Sequence, residues 1–318
     1  MISADAAGNR KMPEMWWTFS PAGVHCAAMN TRSTRREMLV RTAQTAAATT
    51  LAARLAPLLA APGQRGFKIG ACEWSLRKSG PEVMTVAKAI GLDGVQVDLG
   101  NPGNHMWLRR PEIQQAYLAA ARATGVAVGG LALAELNNIP LKSDPRAAVW
   151  VVDAIEVARA IGAKVILVAQ FFKGELKGDQ TGVDRTVEVL QEIAPRAERA
   201  GVILGLENYL SAEENLDLVR RIGSSAVQVY YDVGNSTDKG YDIYREIRLL
   251  KGQLCELHFK DADHLLGKGR IDFAKVRAAV DEIDFRGWIQ IEAAAPNGLM
   301  KDYPANLAFL RSLFPPAA

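Results

Sequence analysis

Leu254-Cys255-Glu256-Leu257-His258-Phe259-Lys260-Asp261-Ala262-Asp263 is a short apolar run that ends in a cluster of groups able to hold a metal ion or move a proton. Side chains alternate sides along a strand, so the run puts Leu254, Glu256, His258 and Lys260 on one face. Cys255, Leu257 and Phe259 take the other. One face packs and the other carries the chemistry. A single histidine beside a strand is usually structural, so His258 has to be judged by its company.

Outward from this stretch, strand and helix patterns alternate without a break from Phe67 onward. Residues 67–74, 94–98, 126–133, 165–169, 202–207, 227–232, 254–260 and 288–292 read as strands, several of them fully apolar runs suited to a parallel sheet. Helices are expected over 81–90, 111–124, 145–161, 184–200, 212–222, 241–250, 272–283 and 302–313, with Pro or Asp at several starts and Gly just past several ends. Eight such units in about 250 residues fit an α/β fold of the (β/α)₈ TIM barrel type, a single domain over 66–318. No G-x-G-x-x-G follows the first strand and no P-loop is present, which counts against a nucleotide-binding doubly wound sheet.

The chain of 318 residues is 49% hydrophobic and 23% charged, an ordinary globular composition. Its net charge of +3 comes from the leader: residues 1–66 hold eight Lys/Arg and three Asp/Glu, leaving 30 positive and 32 negative charges in the body. A neutral body carries no nucleic-acid footprint. Thr34-Arg35-Arg36-Glu37-Met38-Leu39 precedes an Ala/Leu/Thr-rich segment over 43–61 and then Pro62-Gly63. Basic residues, a moderately apolar stretch and small residues before a break are the marks of a removable export signal, here of the twin-arginine type. Arg54 and Pro57 interrupt the apolar run, so no stable membrane span is expected after signal removal. Residues 1–65 are set aside as leader, with Met29 the more natural start, and an exported, periplasmic protein is expected. Cys26 lies in that leader. Cys72 and Cys255 fall in expected strands, where a buried free thiol is the default.

In a barrel, residues at the carboxyl ends of the strands converge on one mouth. Strands five to eight end in Glu207, Asp232, His258 and Glu292. Any one alone would read as a cap or a surface residue. Four together would repel and resist desolvation unless a cation compensates them. Three carboxylates and one imidazole form a hard, oxygen-rich set suited to Mn²⁺ or Mg²⁺, with Co²⁺, Zn²⁺ or Fe²⁺ as alternatives.

The set G-L-E-N, Y-Y-D-V-G-N, L-H-F-K-D and I-Q-I-E, with its ligands at 207, 232, 258 and 292, resembles the sugar phosphate isomerase/epimerase superfamily with the xylose isomerase-like barrel. That group includes enzymes of the tagatose 3-epimerase, hydroxypyruvate isomerase and inosose types. The resemblance runs from Phe67 to the C-terminus. It implies that Glu207 and Glu292 are both metal ligands and the proton-transfer pair, while Asp232 and His258 hold the metal. A cation chelated by a carbonyl and a neighbouring hydroxyl acidifies the intervening C–H, and two carboxylates can remove and return the proton through an enediolate. The chain departs from the ketohexose epimerases where they carry a substrate-binding His and Arg; here Asn235 and His264 stand. The match to a free ketohexose weakens accordingly.

Trp74, Asn235, Lys260, His264 and Glu213 are the substrate-binding candidates. Glu213 equally reads as a helix-start carboxylate. Glu73, Asp98, His105, Trp107, Glu135, Asn138 and Gln170 are weaker candidates near strand ends. Gly267-Lys268-Gly269-Arg270 reads as a mobile lid rather than a phosphate loop. The expected activity is a divalent-metal-dependent isomerase or epimerase of a keto sugar or related hydroxy-ketone, with a small carbohydrate as partner. A lyase or dehydratase acting on a keto-glycoside or inosose is the alternative. An apurinic endonuclease would need more histidines than His105, His258 and His264, and a sugar-binding barrel would not need paired bases. A homo-oligomer stays open.

The export reading has a direct consequence. Changing Arg35 and Arg36 to Lys is expected to leave the precursor inside the cell, as read by fractionation and immunoblotting; unchanged export would contradict it.

Overall fold

The computed structural model describes residues 66–315. The leader, the export signal and Cys26, all within residues 1–65, lie outside the described residues. Eight strands, β1 (Phe67–Cys72), β2 (Gly94–Asp98), β3 (Ala127–Leu133), β4 (Val165–Ala169), β5 (Ile203–Glu207), β6 (Val227–Asp232), β7 (Leu254–Phe259) and β8 (Gly287–Ile291), pair in sequence order. All pairs are parallel, and β8 closes onto β1. Parallel neighbours need a crossover. It is supplied by α1 (Val83–Ile90), α2 (Pro111–Thr124), α3 (Pro145–Ile161), α4 (Gln180–Ala200), α5 (Ala212–Ile222), α6 (Val233–Asp238), α7 (Ile243–Leu250) and α8 (Phe273–Glu282), with α9 (Leu299–Leu313) after β8. The expected (β/α)₈ barrel is present as one domain. Among the described residues no helix is long and apolar enough to cross a membrane.

Local chemistry sets the helix ends. Ser211 accepts from Glu214 N–H while the Glu214 carboxylate accepts from Ser211 N–H, a capping box that starts α5. Gly125 and Gly162 end α2 and α3 at φ 76° and 79°, the left-handed region where a Cβ is strained. The helix expected from residue 184 starts at Gln180, because Asp179 caps it by accepting from Gly182 N–H at 2.9 Å. The short α6 was not expected; Asp232 at the end of β6 caps it directly.

Two hydrophobic layers result. The larger one fills the space between strands and helices and includes Ile69, Val97, Leu257, Phe259 and Ile291. The smaller one lies inside the barrel, with Ala132, Leu167, Ala169, Tyr230 and Cys255. The alternation expected for β7 needs one correction. Val229 pairs with Leu254 but Tyr230 pairs with Glu256, so Cys255 is skipped. This bulge sends Leu254 to the outer layer and Cys255 to the inner one, and the expected face holds only from Glu256 on. Both Cys72 and Cys255 are buried and free.

Glycines inside the barrel make room for large neighbours. A Cβ on Gly94 would lie 2.4 Å from the Trp288 ring and 2.9 Å from the Ala127 carbonyl oxygen. Because backbone has to move as well as a side chain, Gly94→Ala is expected to destabilise by about 1–3 kcal/mol, measured by urea unfolding.

Candidate active site

The carboxyl ends of β5, β6 and β7 and the residue after β8 bring Glu207, Asp232, His258 and Glu292 together, with one potential ligand atom of each within 4.8 Å of the others. Register does this: Asp232 pairs directly with His258 across β6 and β7, and Glu292 N–H donates to the Phe259 carbonyl. His258 Nδ1 faces the carboxylates, 2.8 Å from Glu207 Oε1, 3.7 Å from Glu292 Oε2 and 3.9 Å from Asp232 Oδ2.

The donor set fits a divalent cation. Asp232 Oδ1 accepts from the backbone N–H groups of Gly234 and Asn235, which aims the carboxylate. Its Oδ2 is buried and makes no aligned hydrogen bond, although Lys260 Nζ lies 2.8 Å away. A buried carboxylate oxygen with only a charge beside it is what a ligand atom looks like without its ion. Lys260 Nζ also donates to Glu292 Oε2 at 2.8 Å, and Trp74 Nε1 donates to Glu292 Oε1 at 2.8 Å. Burial pushes Asp232 up to about 6, helped by Glu292 and Glu207 and opposed by Lys260. Burial acts the same way on Glu292, but His258 and Lys260 overcome it and hold that carboxyl down at about 2.

Beneath the four groups lies a polar layer that the strand patterns did not single out. His258 Nε2 is 2.8 Å from Gln96 Oε1, Cys72 Sγ donates to the same oxygen at 3.3 Å, and Gln96 Nε2 donates to Tyr230 OH at 3.2 Å. Glu256 and Gln290 complete the layer, both fully buried. Burial pushes Glu256 up to about 8, with Tyr230 and Gln290 nearby favouring its charged form, yet neither of its oxygens is aligned for a hydrogen bond. The signal for these residues was available. Gln96, Tyr230, Glu256 and Gln290 each stand two residues before an acidic group or His258, on the same face of strands that otherwise read as apolar.

A cavity of about 540 Å³ opens above. Of the substrate-binding candidates, Trp74, Asn235 and Lys260 line it, together with the weaker candidates Glu73, Asp98 and Trp107. Glu213 and His264 are not brought there. Glu213 sits exposed in the first turn of α5, where it pairs with Arg245 at 2.6 Å, and His264 is exposed in the loop after β7. His105, Glu135, Asn138 and Gln170 also lie off the lining. Phe171, Phe172, Tyr209, Asn101 and Asn104 line it without having been anticipated; they lie in the connections after the strands, Asn104 and Phe172 in short 3-10 turns, where no periodicity marks them.

The expected mobile lid is pinned. Asp261, fully buried, accepts from the backbone N–H groups of Gly269, Arg270 and Ile271 at 2.8, 3.0 and 3.2 Å. Gly269 serves that contact, since a Cβ there would meet Asp261 Oδ1 at 2.3 Å.

A family model described as xylose isomerase-like TIM barrel matches residues 84–313. The chain is 30% identical over 238 residues to a 2-epi-5-epi-valiolone 7-phosphate 2-epimerase of Actinoplanes sp., covering 69% of this chain and 88% of that one. It is 26% identical over 256 residues to the putative L-ribulose-5-phosphate 3-epimerase SgbU of Escherichia coli, covering 72% and 89%. In fold it is similar to D-psicose 3-epimerase from Clostridium cellulolyticum H10, with TM-score 0.68 at 18% identity over 78% of this chain and 99% of that one. It is likewise similar to the 3-keto-D-glucoside 4-epimerase YcjR of E. coli, with TM-score 0.66 at 16% identity over 77% and 99%.

The mouth yields a pH prediction at Glu73. Its carboxyl accepts from Tyr117 OH at 2.9 Å and from Asp98 N–H at 3.1 Å, and burial pushes it from 4.5 up to about 8. Between those values the unfolded chain has released a proton that the folded chain keeps, so this group's contribution to stability falls as pH rises. Glu73→Gln removes that loss. Urea unfolding of the two proteins should agree near pH 4 and diverge in favour of the variant towards pH 8, roughly the window set by the shift.

Proposed function

The chain belongs to the xylose isomerase-like TIM barrel family, and from that premise we propose that it is a divalent-metal-dependent epimerase or isomerase of an unphosphorylated keto sugar or related hydroxy-ketone. The observation that carries the reading is the convergence of Glu207, Asp232, His258 and Glu292 at the cavity, whose lining includes Glu207 and Glu292. Relatives named as epimerases support epimerisation over the lyase alternative. These four residues would hold Mn²⁺ or Mg²⁺. When bound, such an ion polarises a substrate carbonyl and acidifies the neighbouring C–H.

The remaining work falls to side chains. Glu207 and Glu292 come from β5 and β8, with the two intervening strands between them, and each keeps carboxylate lone pairs free to take up a proton. In this reading one removes a proton from carbon and the other returns one to the opposite face, or to the neighbouring carbon. Trp74 and Lys260 fix Glu292 through one oxygen each. Asp232 and His258 serve as ligands only.

Absence of phosphate in the substrate is argued from charge. Among the described lining residues Lys260 is the one cation, and it is already shared between Asp232 and Glu292. A phosphate brings about −1.5 to −2 charges into a mouth rich in carboxylates. Trp74, Trp107, Phe171, Phe172 and Tyr209 instead offer ring faces suited to an uncharged sugar. Export, expected from the twin-arginine segment, would place the enzyme among such sugars.

Glu207→Gln and Glu292→Gln should each lower kcat by about 10²–10⁴ while Mn²⁺ occupancy changes little. His258→Ala should lose the metal first. In D₂O the wild type should incorporate deuterium at the reacting carbon; a reaction without any exchange would replace proton transfer by hydride transfer between carbons. A higher kcat/KM for a sugar phosphate than for its unphosphorylated form would sink the charge argument.

A further inference from the structure

The polar groups beneath the ligands form a directed chain. His258 Nε2 lies 2.8 Å from Gln96 Oε1, and an amide oxygen can only accept, so Nε2 carries a proton. Nδ1 lies 2.8 Å from Glu207 Oε1, which also only accepts, so without an ion Nδ1 carries a proton as well; a cation among the three carboxylates would take that proton's place and use the Nδ1 lone pair. Turning the Gln96 amide round would prevent this: its NH₂ would face Nε2, which would have to accept, and the ring would keep its proton on Nδ1.

The sense of an amide has to be assigned from its partners. With Oε1 towards His258 Nε2, the amide accepts from the Cys72 thiol, which lies 3.3 Å from both of those atoms, and Gln96 Nε2 donates to Tyr230 OH, so each group has a partner. Gln96, Cys72 and His258 are fully buried and Tyr230 is 1% exposed, so bulk water does not stand in for a lost partner. The bulge between β2 and β3 contributes as well: Val95 pairs with Val128 and Gln96 with Gly130, and Gly130 leaves space beside the Gln96 side chain. Gln96 does not line the cavity, which leaves it no contact with substrate.

We propose that Gln96 is a positioning residue that, by accepting from Nε2, holds His258 in the orientation whose Nδ1 is available to a divalent cation, with Tyr230 and Cys72 completing the hydrogen bonds of its amide. The inference rests on reading the four converging groups as a metal site. It extends the site to β2, a strand that supplies no ligand. Outer partners of a metal-bound histidine commonly carry 10–100-fold of the metal affinity, which sets the expected size of the effect.

The test is Mn²⁺ binding, measured by isothermal titration calorimetry on metal-stripped full-length protein. Gln96→Leu should weaken binding about 10–100-fold. Gln96→Glu, which keeps an acceptor towards Nε2, should restore most of it, and Tyr230→Phe should fall between. In Mg²⁺-loaded protein carrying ¹⁵N-histidine, His258 should show a proton on Nε2. Wild-type affinity in Gln96→Leu, failure of Gln96→Glu to restore binding, or an unprotonated Nε2 in the loaded wild type would each overturn the proposal. Should Gln96→Leu not fold, Tyr230→Phe and the nitrogen spectrum decide. A wild type that takes up no Mn²⁺ would instead bring down the metal-site reading and this inference with it.

Discussion

Three carboxylates crowded around one buried imidazole are the constraint on which the rest of this molecule depends. Taken out of water, such groups repel one another and lose hydration, and only opposing charge or hydrogen-bond donors offset that. The barrel supplies donors at every oxygen it can reach: backbone N–H groups on Asp232, the indole of Trp74 on Glu292, and the Lys260 ammonium between Asp232 and Glu292. Asp232 Oδ2 has the ammonium 2.8 Å away but no aligned hydrogen bond, and His258 Nδ1 has Glu207 Oε1 at 2.8 Å; under the proposed metal-site reading an ion would sit among these atoms.

Positioning of that kind asks for rigid supports. Each of four consecutive strands delivers one group, and the register of β6 on β7 puts Asp232 beside His258 without help from a loop. Two residues further down, Gln96, Tyr230, Glu256 and Gln290 form a second layer in the same phase. Their bulk is accommodated by glycines at the facing positions: a Cβ on Gly70 would meet Gln290 at 2.2 Å, and one on Gly205 would crowd Tyr230 at 3.2 Å. Chemistry at the mouth and packing below it are therefore one arrangement, in which a small residue on one strand permits a polar one on another.

This explains what could be read from the chain and what could not. The eight strands and the converging groups were legible because four consecutive, mainly apolar runs each end in Glu, Asp or His, and a parallel barrel brings those ends together whatever the loops do. Strict alternation failed at Cys255, where one extra residue in β7 reverses two side chains; apolarity is the same before and after a bulge, so no pattern announces it. Glu213 and His264, each a few residues beyond a strand-end group, do not line the cavity. Spacing along a loop or into a helix does not fix direction, and the first turn of α5 points Glu213 at Arg245 instead. The polar second layer was visible in phase with the ligands, but its meaning depended on cross-strand partners that only the closed barrel defines.

Charge at the mouth follows the same logic of partners already chosen. Gly267-Lys268-Gly269-Arg270 has the composition of an anion cradle, yet Asp261 from within the chain occupies the amides of 269–271, and Arg270 is paired with Asp238. Lys260 is held by two carboxylates. Lys239 lies over the Tyr209 ring, 3.9 Å from its centre, but it is exposed, where high dielectric and salt weaken its reach. An anionic substrate would have to break one of these pairs to find a counter-charge, whereas an uncharged sugar needs none broken. It can settle against the aromatic walls and leave Glu207, Asp232, His258 and Glu292 to the proposed ion.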